Sequence, residues 1–281
     1  MKKRPFAVTG VEVPIIGQGT WAIERGDRGE ALRALRRGLE LGANHIDTAE
    51  MYGNGAAEEL VAEAIAGRRD EVFLVSKVLP SNASRAGTVA ACENSLRRLG
   101  TDRLDCYLLH WEGNHPLEET VAAFEQLVGN GKIRSWGVSN FDERALARAV
   151  AIAGAERIAC NQVCYYVQER AIEHEVIPYC QKKGIALVAY SPFGSGAFPR
   201  RRSRGGKVLA DIARTRRATP YQVALAFLCR HEGLFAIPKS STVAHVVDNA
   251  AAGDLVLEDR ELERLEAAFP LGPRRRGVPM I

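Results

Sequence analysis

The sequence predicts an α/β protein whose single domain, residues 1–281, is a (β/α)8 TIM barrel with an N-terminal β-hairpin cap. Two observations support this fold class. Short apolar runs alternate with amphipathic stretches, and the 281 residues are close to the ~250 that such a barrel usually takes. Eight runs have the length of a barrel strand: Val11–Gly17, His45–Thr48, Val72–Ser76, Asp105–Leu109, Ser135–Ser139, Ala159–Val163, Ala186–Tyr190 and Phe235–Ile237. Such an alternation favours a parallel sheet covered on both faces.

The stretches between these runs carry apolar residues at helical spacing. In Glu30–Leu41, the side chains of Leu32, Leu35 and Leu39 form one stripe, and the arginines lie mostly outside it. The same pattern predicts six further helices: Thr88–Leu99, Glu118–Val128, Glu143–Ile152, Ile172–Lys183, Tyr221–Arg230 and Glu261–Phe269.

A doubly wound open sheet is the alternative architecture. It would normally show a G-x-G-x-x-G turn after its first strand. The corresponding segment reads Gly17-Gln18-Gly19-Thr20-Trp21 and is not followed by the third glycine. The barrel is therefore favoured.

Composition and charge exclude several classes of function. The net charge is only +4, and the arginine clusters Arg200–Arg204 and Arg274–Arg276 resemble solvated loops, so we expect no nucleic-acid partner. No run reaches the ~20 apolar residues of a membrane span, and no signal segment follows the basic start MKKRPF. The six cysteines form no C-x-x-C pair and match no zinc spacing, and the histidines are scattered. We expect a cytoplasmic, monomeric protein without a metal.

Four polar residues follow the ends of neighbouring predicted strands. Asp47 closes the run that begins at His45, and Tyr52 follows it in the next loop. Lys77 ends the next run, and His110 ends the one after it. In α/β barrels the active site lies at these carboxyl ends, so the four side chains are expected to converge. A lysine ammonium held by an aspartate lowers the pKa of a nearby tyrosine, and an imidazole can polarise a carbonyl oxygen. This set could protonate an oxygen that gains charge during hydride attack.

Each of these residues has a simpler explanation when taken alone. Tyr52 could be an ordinary loop residue, Asp47 a turn cap, His110 a core histidine and Lys77 a lysine reaching for solvent. A strand-end lysine such as Lys77 could also form a Schiff base, as in a barrel aldolase, although an adjacent aspartate would keep it protonated. Their occurrence together at successive strand ends favours the catalytic interpretation.

Seven segments in order along the chain resemble the aldo-keto reductase family: DTAEMYGNG, LVSKV, YLLHW, GKIRSWGVSNF, NQVCYY, AYSPFGSG and IPKSST. Within the family, the short loops and the stretches QGTWAIERGD, ACENSLRRLGTDRLD and STVAHVVDNAA look similar to bacterial methylglyoxal-type reductases. The resemblance implies a catalytic tetrad of Asp47, Tyr52, Lys77 and His110, with Tyr52 as the general acid in the reduction of a small-molecule carbonyl substrate. A non-catalytic regulator that binds NADPH is the alternative within the family.

The resemblance also implies NADPH (NADP+) as the cofactor. By position, Ser139, Asn140 and Gln162 match residues that bind the carboxamide, and Tyr190 matches the aromatic that stacks on the nicotinamide. The loop over the pyrophosphate begins at Ser191, Phe193 and Ser195, Lys239 and Ser240 match the 2′-phosphate site, and Asn249 matches an adenine contact. The remaining expected cofactor residues are Gly19, Thr20, Trp21, Asp47, Ile237, His245 and Asp248.

One position departs from the family pattern. Many members carry an arginine six residues after the lysine that matches Lys239, and this chain has His245 there. An arginine can hold a phosphate with two parallel hydrogen bonds, whereas a mostly neutral histidine holds it weakly. NADPH is still expected because Lys239 and Ser240 are kept, but NADH is possible.

The expected substrate site is open. Trp21, Tyr52, His110 and Trp111 are the predicted substrate contacts, and the loop after His110 and the tail after Phe269 are short. Short closing elements favour small substrates such as 2-oxoaldehydes and aromatic aldehydes. The segment Arg200–Lys207 is expected to be either a flexible loop over the cofactor or a solvated loop, with a helix starting near Gly205–Lys207.

Overall fold

The computed structural model describes all residues from 1 to 281 and contains ten strands in two sheets. The strands are β1 (Lys3–Pro5), β2 (Glu12–Pro14), β3 (Gln18–Gly19), β4 (His45–Asp47), β5 (Phe73–Val78), β6 (Leu104–Leu109), β7 (Ile133–Ser139), β8 (Ile158–Cys164), β9 (Ala186–Tyr190) and β10 (Leu234–Ala236). Eight of them, β3 to β10, form one parallel sheet in chain order. The predicted (β/α)8 fold is confirmed.

The sheet closes where β3 meets β10. Parallel bridges join Ile16 to Ala236 and Gly19 to Lys239, outside the regular ladders. Three backbone hydrogen bonds hold this seam: Gly17 N to Ala236 O (2.8 Å), Ala236 N to Ile15 O (2.8 Å) and Gly19 N to Pro238 O (3.2 Å).

The N-terminal hairpin is also as predicted. Strands β1 and β2 pair in antiparallel fashion, and the buried ring of Phe6 between them packs on Phe73 and Phe235 with ring centroids 4.8 and 5.0 Å away. His45 also contacts Phe6 and Phe73 edge-on, and neither of its ring nitrogens has a hydrogen-bond partner. The hairpin thus supplies the apolar plug for the amino-terminal end of the barrel.

The position predicted for the first barrel strand is wrong. Part of the run Val11–Gly17 belongs to the hairpin as β2, and the strand that pairs with β4 is Gln18–Gly19. The run is apolar because Val13 contributes to the barrel interior and Ile15 and Ile16 to the layer between sheet and helices. Burial on both sides gave it the appearance of a strand inside the sheet.

Ten α-helices surround the sheet. They are α1 (Arg28–Glu40), α2 (Ala56–Ala64), α3 (Arg85–Leu99), α4 (Leu117–Gly129), α5 (Glu143–Ala153), α6 (Val176–Lys183), α7 (Arg204–Arg216), α8 (Pro220–Leu228), α9 (Val243–Ala251) and α10 (Asp259–Ala268). None of the helices is long and apolar enough to cross a membrane.

The helices differ from the predicted ones in two ways. Helices α2 and α9 were not predicted, and of α7 only the start was expected. Helix α7 begins at Arg204, close to the start expected near Gly205–Lys207, and the Ser203 hydroxyl accepts a hydrogen bond from the Gly206 N–H there. The second half of the segment Arg200–Lys207 is therefore helical and the first half is a loop. The expected helix Ile172–Lys183 starts instead with a separate 3-10 turn, Ala171–Glu173, before α6.

Candidate active site

Asp47, Lys77, His110 and Tyr52 meet at the carboxyl end of the barrel. Asp47 is the last residue of β4, Lys77 lies near the end of β5, and His110 directly follows β6. The Lys77 ammonium donates hydrogen bonds to Asp47 Oδ1 (2.5 Å), to the Thr48 carbonyl (2.8 Å) and to the Tyr52 hydroxyl (3.3 Å). The structure therefore brings together the four residues that the sequence singled out.

The Lys77–Asp47 ion pair is buried. Neither side chain is more than 2% exposed, and the second Asp47 oxygen accepts a hydrogen bond from Gln162 Nε2 at 2.7 Å. Burial disfavours the charged form of Lys77, but Asp47 and Tyr52 outweigh it, so the pKa of Lys77 is raised above its ordinary value. Lys77 stays an ammonium at neutral pH.

The pKa of Tyr52 differs from the expectation. Burial of the phenol raises its pKa, and the nearby Lys77 opposes that effect without cancelling it. The charge argument identified the effect of Lys77 correctly but could not include burial. The phenol of Tyr52 is therefore protonated at neutral pH, as a proton donor must be.

His110 is a neutral imidazole. Burial and the neighbouring Lys77 lower its pKa to about 2. Its ring centroid lies 5.8 Å from that of Tyr52, and its Nδ1 is buried without a hydrogen-bond partner. Its carbonyl oxygen accepts a hydrogen bond from Asn140 Nδ2 (3.1 Å). A neutral imidazole has one donor and one acceptor nitrogen, so it can bind a carbonyl oxygen without adding charge.

A turn with an uncommon backbone presents Tyr52. The three residues after it, Gly53, Asn54 and Gly55, all have positive φ angles of 57°, 53° and 96°. Glycine adopts this region at little cost, and asparagine tolerates it better than most residues. The sequence Tyr52-Gly-Asn-Gly thus allows the chain to reverse tightly between β4 and α2, with the phenol on the barrel side.

A cavity of about 530 Å³ opens above these residues. Most of the predicted substrate and cofactor residues line it: Gly19, Thr20, Trp21, Asp47, Tyr52, His110, Trp111, Ser139, Asn140, Gln162, Tyr190, Ser191, Phe193, Ser195, Ile237 and Lys239. Tyr190 donates a hydrogen bond to Asn140 Oδ1 (2.9 Å), and Ser139 donates one to the Gln162 carbonyl (2.8 Å). Part of the cavity lining is therefore a hydrogen-bonded set of amides and hydroxyls.

The comparisons with known proteins identify the family of this chain. The model of the Aldo/keto reductase family matches residues 15–269. The chain belongs to this family of oxidoreductases.

Several relatives are similar over all or most of their length. The methylglyoxal reductase YeaE of Escherichia coli is 44% identical over 100% of both chains, and the glyoxal reductase of Bacillus subtilis is 33% identical over 92% of this chain and 90% of its own. The crystal structure of an aldo-keto reductase from Klebsiella pneumoniae in complex with NADPH has a TM-score of 0.94 and is 44% identical over 100% of both chains. A second structure from that organism holds NADP and acetate and has a TM-score of 0.93.

Four predicted cofactor residues of this aldo-keto reductase do not line the cavity. His245 is exposed in the first turn of α9. Asn249 lies in α9 and is buried. The Ser240 hydroxyl accepts a hydrogen bond from the Thr242 N–H (3.2 Å) in the turn before that helix. The carboxylate of Asp248 accepts hydrogen bonds from the side chains of Thr219 (2.9 Å) and Gln222 (2.9 Å), which tie α9 to the start of α8.

Sequence reasoning missed five residues that line the cavity: Met51, Pro192, Gly196, Met280 and Ile281. Met280 and Ile281 are the notable ones, because the tail after Phe269 was expected to be too short to cover the site. It nevertheless reaches the cavity mouth. The positions of the last two residues depend on tertiary contacts, for which the sequence carried no local signal.

Contacts of opposite charge hold the tail against the barrel. Arg275 pairs with Glu169 at 3.3 Å, and Arg274 pairs with Glu175. The ring of His174 lies within hydrogen-bonding distance of the Gly272 carbonyl (3.1 Å). Arg274 and Arg275 of the cluster that was expected to be solvated are exposed, as expected, but each also pairs with a carboxylate of the barrel.

Proposed function

We propose that this chain reduces small aldehydes, including 2-oxoaldehydes and aromatic aldehydes, to alcohols with NADPH as the reductant and Tyr52 as the general acid. The observation that carries the proposal is the Tyr52 hydroxyl, 3.3 Å from the Lys77 ammonium and on the wall of the same cavity as His110. The relatives named for methylglyoxal and glyoxal support the substrate class. The NADPH complex supports the cofactor.

The residues around the cavity fit a nicotinamide dinucleotide. Ser139, Asn140 and Gln162 offer amide and hydroxyl groups for a carboxamide, and Tyr190 offers an aromatic face beside them. Lys239 lies in the same lining and supplies a cation for a phosphate group. When bound, the dihydronicotinamide supplies the hydride. NADH remains possible because His245 replaces the arginine that many family members carry.

The chain's own residues account for the proton. A carbonyl oxygen between Tyr52 and His110 accepts hydrogen bonds from the phenol and from the imidazole, and the negative charge that develops on it is neutralised by the Tyr52 proton. The phenolate left behind lies beside the Lys77 ammonium. Asp47 keeps that ammonium charged, so Lys77 stabilises the product state without giving up its own proton.

The remaining walls favour small substrates. Trp21 packs edge-on against Tyr52 with ring centroids 5.0 Å apart, and Trp111 packs against His110 at 4.9 Å. Met280 and Ile281 also line the cavity. The side chains of the two tryptophans and of Met280 and Ile281 are uncharged and apolar, so they offer an apolar contact surface to a small aldehyde.

Two alternatives lose support. Lys77 is completely buried, does not line the cavity and has a raised pKa, all of which oppose a Schiff-base nucleophile. A regulator without catalysis has no need for Tyr52, Lys77 and Asp47 to be joined by hydrogen bonds.

The test compares NADPH oxidation by wild type, Tyr52→Phe and Tyr107→Phe with methylglyoxal and 4-nitrobenzaldehyde. Loss of a general acid should lower turnover by ~10²–10⁴-fold in Tyr52→Phe, while NADPH binding, measured by fluorescence quenching, stays unchanged. Tyr107→Phe is the matched control because Tyr107 is buried in β6 outside the cavity. Turnover that Tyr52→Phe leaves unchanged would show that the acid is another group.

A further inference from the structure

A fully buried carboxylate lies behind the active site, on the outer face of the sheet. Glu58, in the first turn of α2, has no exposed surface. Its two oxygens accept hydrogen bonds from Ser76 Oγ (2.6 Å) and Arg98 Nε (2.6 Å). A buried charge is costly unless it is paired, so the contacts of Glu58 fix α2 against two neighbouring elements.

One of these elements is the strand that carries Lys77. Ser76 is the residue before Lys77 in β5, and successive residues of a strand point to opposite faces. Lys77 therefore reaches Asp47 and Tyr52 inside the barrel, while Ser76 reaches Glu58 outside it. A displacement of α2 relative to β5 would change both sets of contacts.

The other element is the last turn of α3, which carries Arg98. A Cβ atom at Gly55 would lie 2.4 Å from Arg98 Cδ and 2.6 Å from Arg98 Nε, so this side chain packs directly against the backbone of the Tyr52 turn. Arg98 Nη2 also donates a hydrogen bond to Ser95 Oγ (3.2 Å). Arg98 thus touches the turn and the Glu58 carboxylate at the same time.

We infer that Arg98, together with Glu58, is a positioning residue that holds the turn carrying Tyr52 at the distance from Lys77 that proton transfer requires. The inference rests on the proposed function of Tyr52. The turn is in left-handed backbone from Gly53 to Gly55, which interrupts the short 3-10 segment Tyr52–Gly55 and leaves it without a regular helix. Its order comes from the packing of Arg98 beneath Gly55 and from the Glu58 anchor at the start of α2.

The test uses Arg98→Ala, Arg98→Lys and a control of similar burial, Arg69→Ala. Arg69 pairs with Asp105 at 2.8 Å, and Asp105 also accepts from the N–H of Leu74, so this pair lies near the amino ends of β5 and β6, away from the site. A misplaced catalytic group can cost ~10²-fold, so Arg98→Ala should lower kcat by ~10–100-fold. The KM for NADPH should stay within about twofold, because ground-state binding is not altered.

The conservative variant and the control variant distinguish a positioning role of Arg98 from a role in stability alone. Arg98→Lys keeps a cation beside Glu58 and should recover a large part of kcat. Arg69→Ala should lower the melting temperature without a comparable loss of kcat. A loss of kcat in Arg98→Ala no greater than in Arg69→Ala overturns the inference. If Arg98→Ala does not fold, Glu58→Gln is measured in the same way. A kcat of Glu58→Gln equal to that of wild type would then overturn the inference.

Amide hydrogen exchange gives a readout that needs no turnover. Exchange across residues 50–56 should be faster in Arg98→Ala than in wild type or Arg69→Ala, and unchanged exchange there overturns the inference. A wild-type protein that reduced no aldehyde would remove the proposed function, while the exchange data would still decide whether Arg98 orders the turn.

Discussion

Removing Lys77 should have separable effects on stability and on activity. The Lys77–Asp47 pair is 2.5 Å long and almost completely buried. Lys77→Met keeps the volume of the side chain but leaves the Asp47 carboxylate with the Gln162 amide as its remaining side-chain partner. Breaking a buried ion pair by removing one partner costs about 3–5 kcal/mol, and we expect that loss in the free energy of unfolding.

The double variant Asp47→Asn/Lys77→Met should regain most of this stability, because neither side chain then carries a buried charge. Replacing a whole buried pair is often neutral or stabilising. Activity should not return, since the Tyr52 phenolate would lack its ammonium neighbour, and kcat should stay at least ~10²-fold below that of wild type.

Urea unfolding followed by circular dichroism, with steady-state rates on the same preparations, measures both quantities. If the double variant were as unstable as Lys77→Met, the destabilisation would not come from the unpaired charge. If it were active, the pair would not be needed for proton transfer.

Three further outcomes follow from other parts of the molecule. Burial lowers the pKa of the His45 imidazole from 6.5 to about 4. As the pH falls, His45 is therefore protonated in the unfolded chain before it is protonated in the folded one. Stability should fall by about 3 kcal/mol as the pH drops from 6.5 to 4, and His45→Leu should remove that part of the loss in urea titrations at several pH values. His245→Arg should lower the KM for NADPH several-fold and leave that for NADH unchanged, whereas equal effects on both would argue against a 2′-phosphate contact. Gly137→Ala places a Cβ 2.4 Å from the Cys160 carbonyl oxygen and should cost about 1–3 kcal/mol in thermal unfolding, while Gly129→Ala, which meets no atom within 4 Å, should cost nothing.

The tetrad could be predicted because its residues are tied to strand ends. Asp47, Lys77 and His110 each close a short apolar run, and the barrel rule places such ends at one mouth. The distances between them follow from the parallel register, which pairs Asp47 with Val75 and Lys77 with Leu108. The local sequence pattern and the fold class together were sufficient to predict that these residues meet.

The features that were missed depend on contacts distant in sequence. Asp248 binds Thr219 and Gln222 at the start of α8, and the tail that reaches the cavity pairs with Glu169 and Glu175 on its way. No periodicity encodes such partners. The pKa of Tyr52 was misjudged for a related reason, since burial is a property of the folded chain.

The seam of the barrel has a mechanical consequence. Its final pairing joins Gly19 to Lys239, and both residues line the cavity in which NADPH is proposed to bind. Three backbone hydrogen bonds hold the contact between β3 and β10. A ligand that binds Gly19 and Lys239 adds further contacts across this seam. Bound cofactor would then slow opening of the barrel at this join, and proteases that need an open chain would cut the loaded enzyme more slowly than the free one.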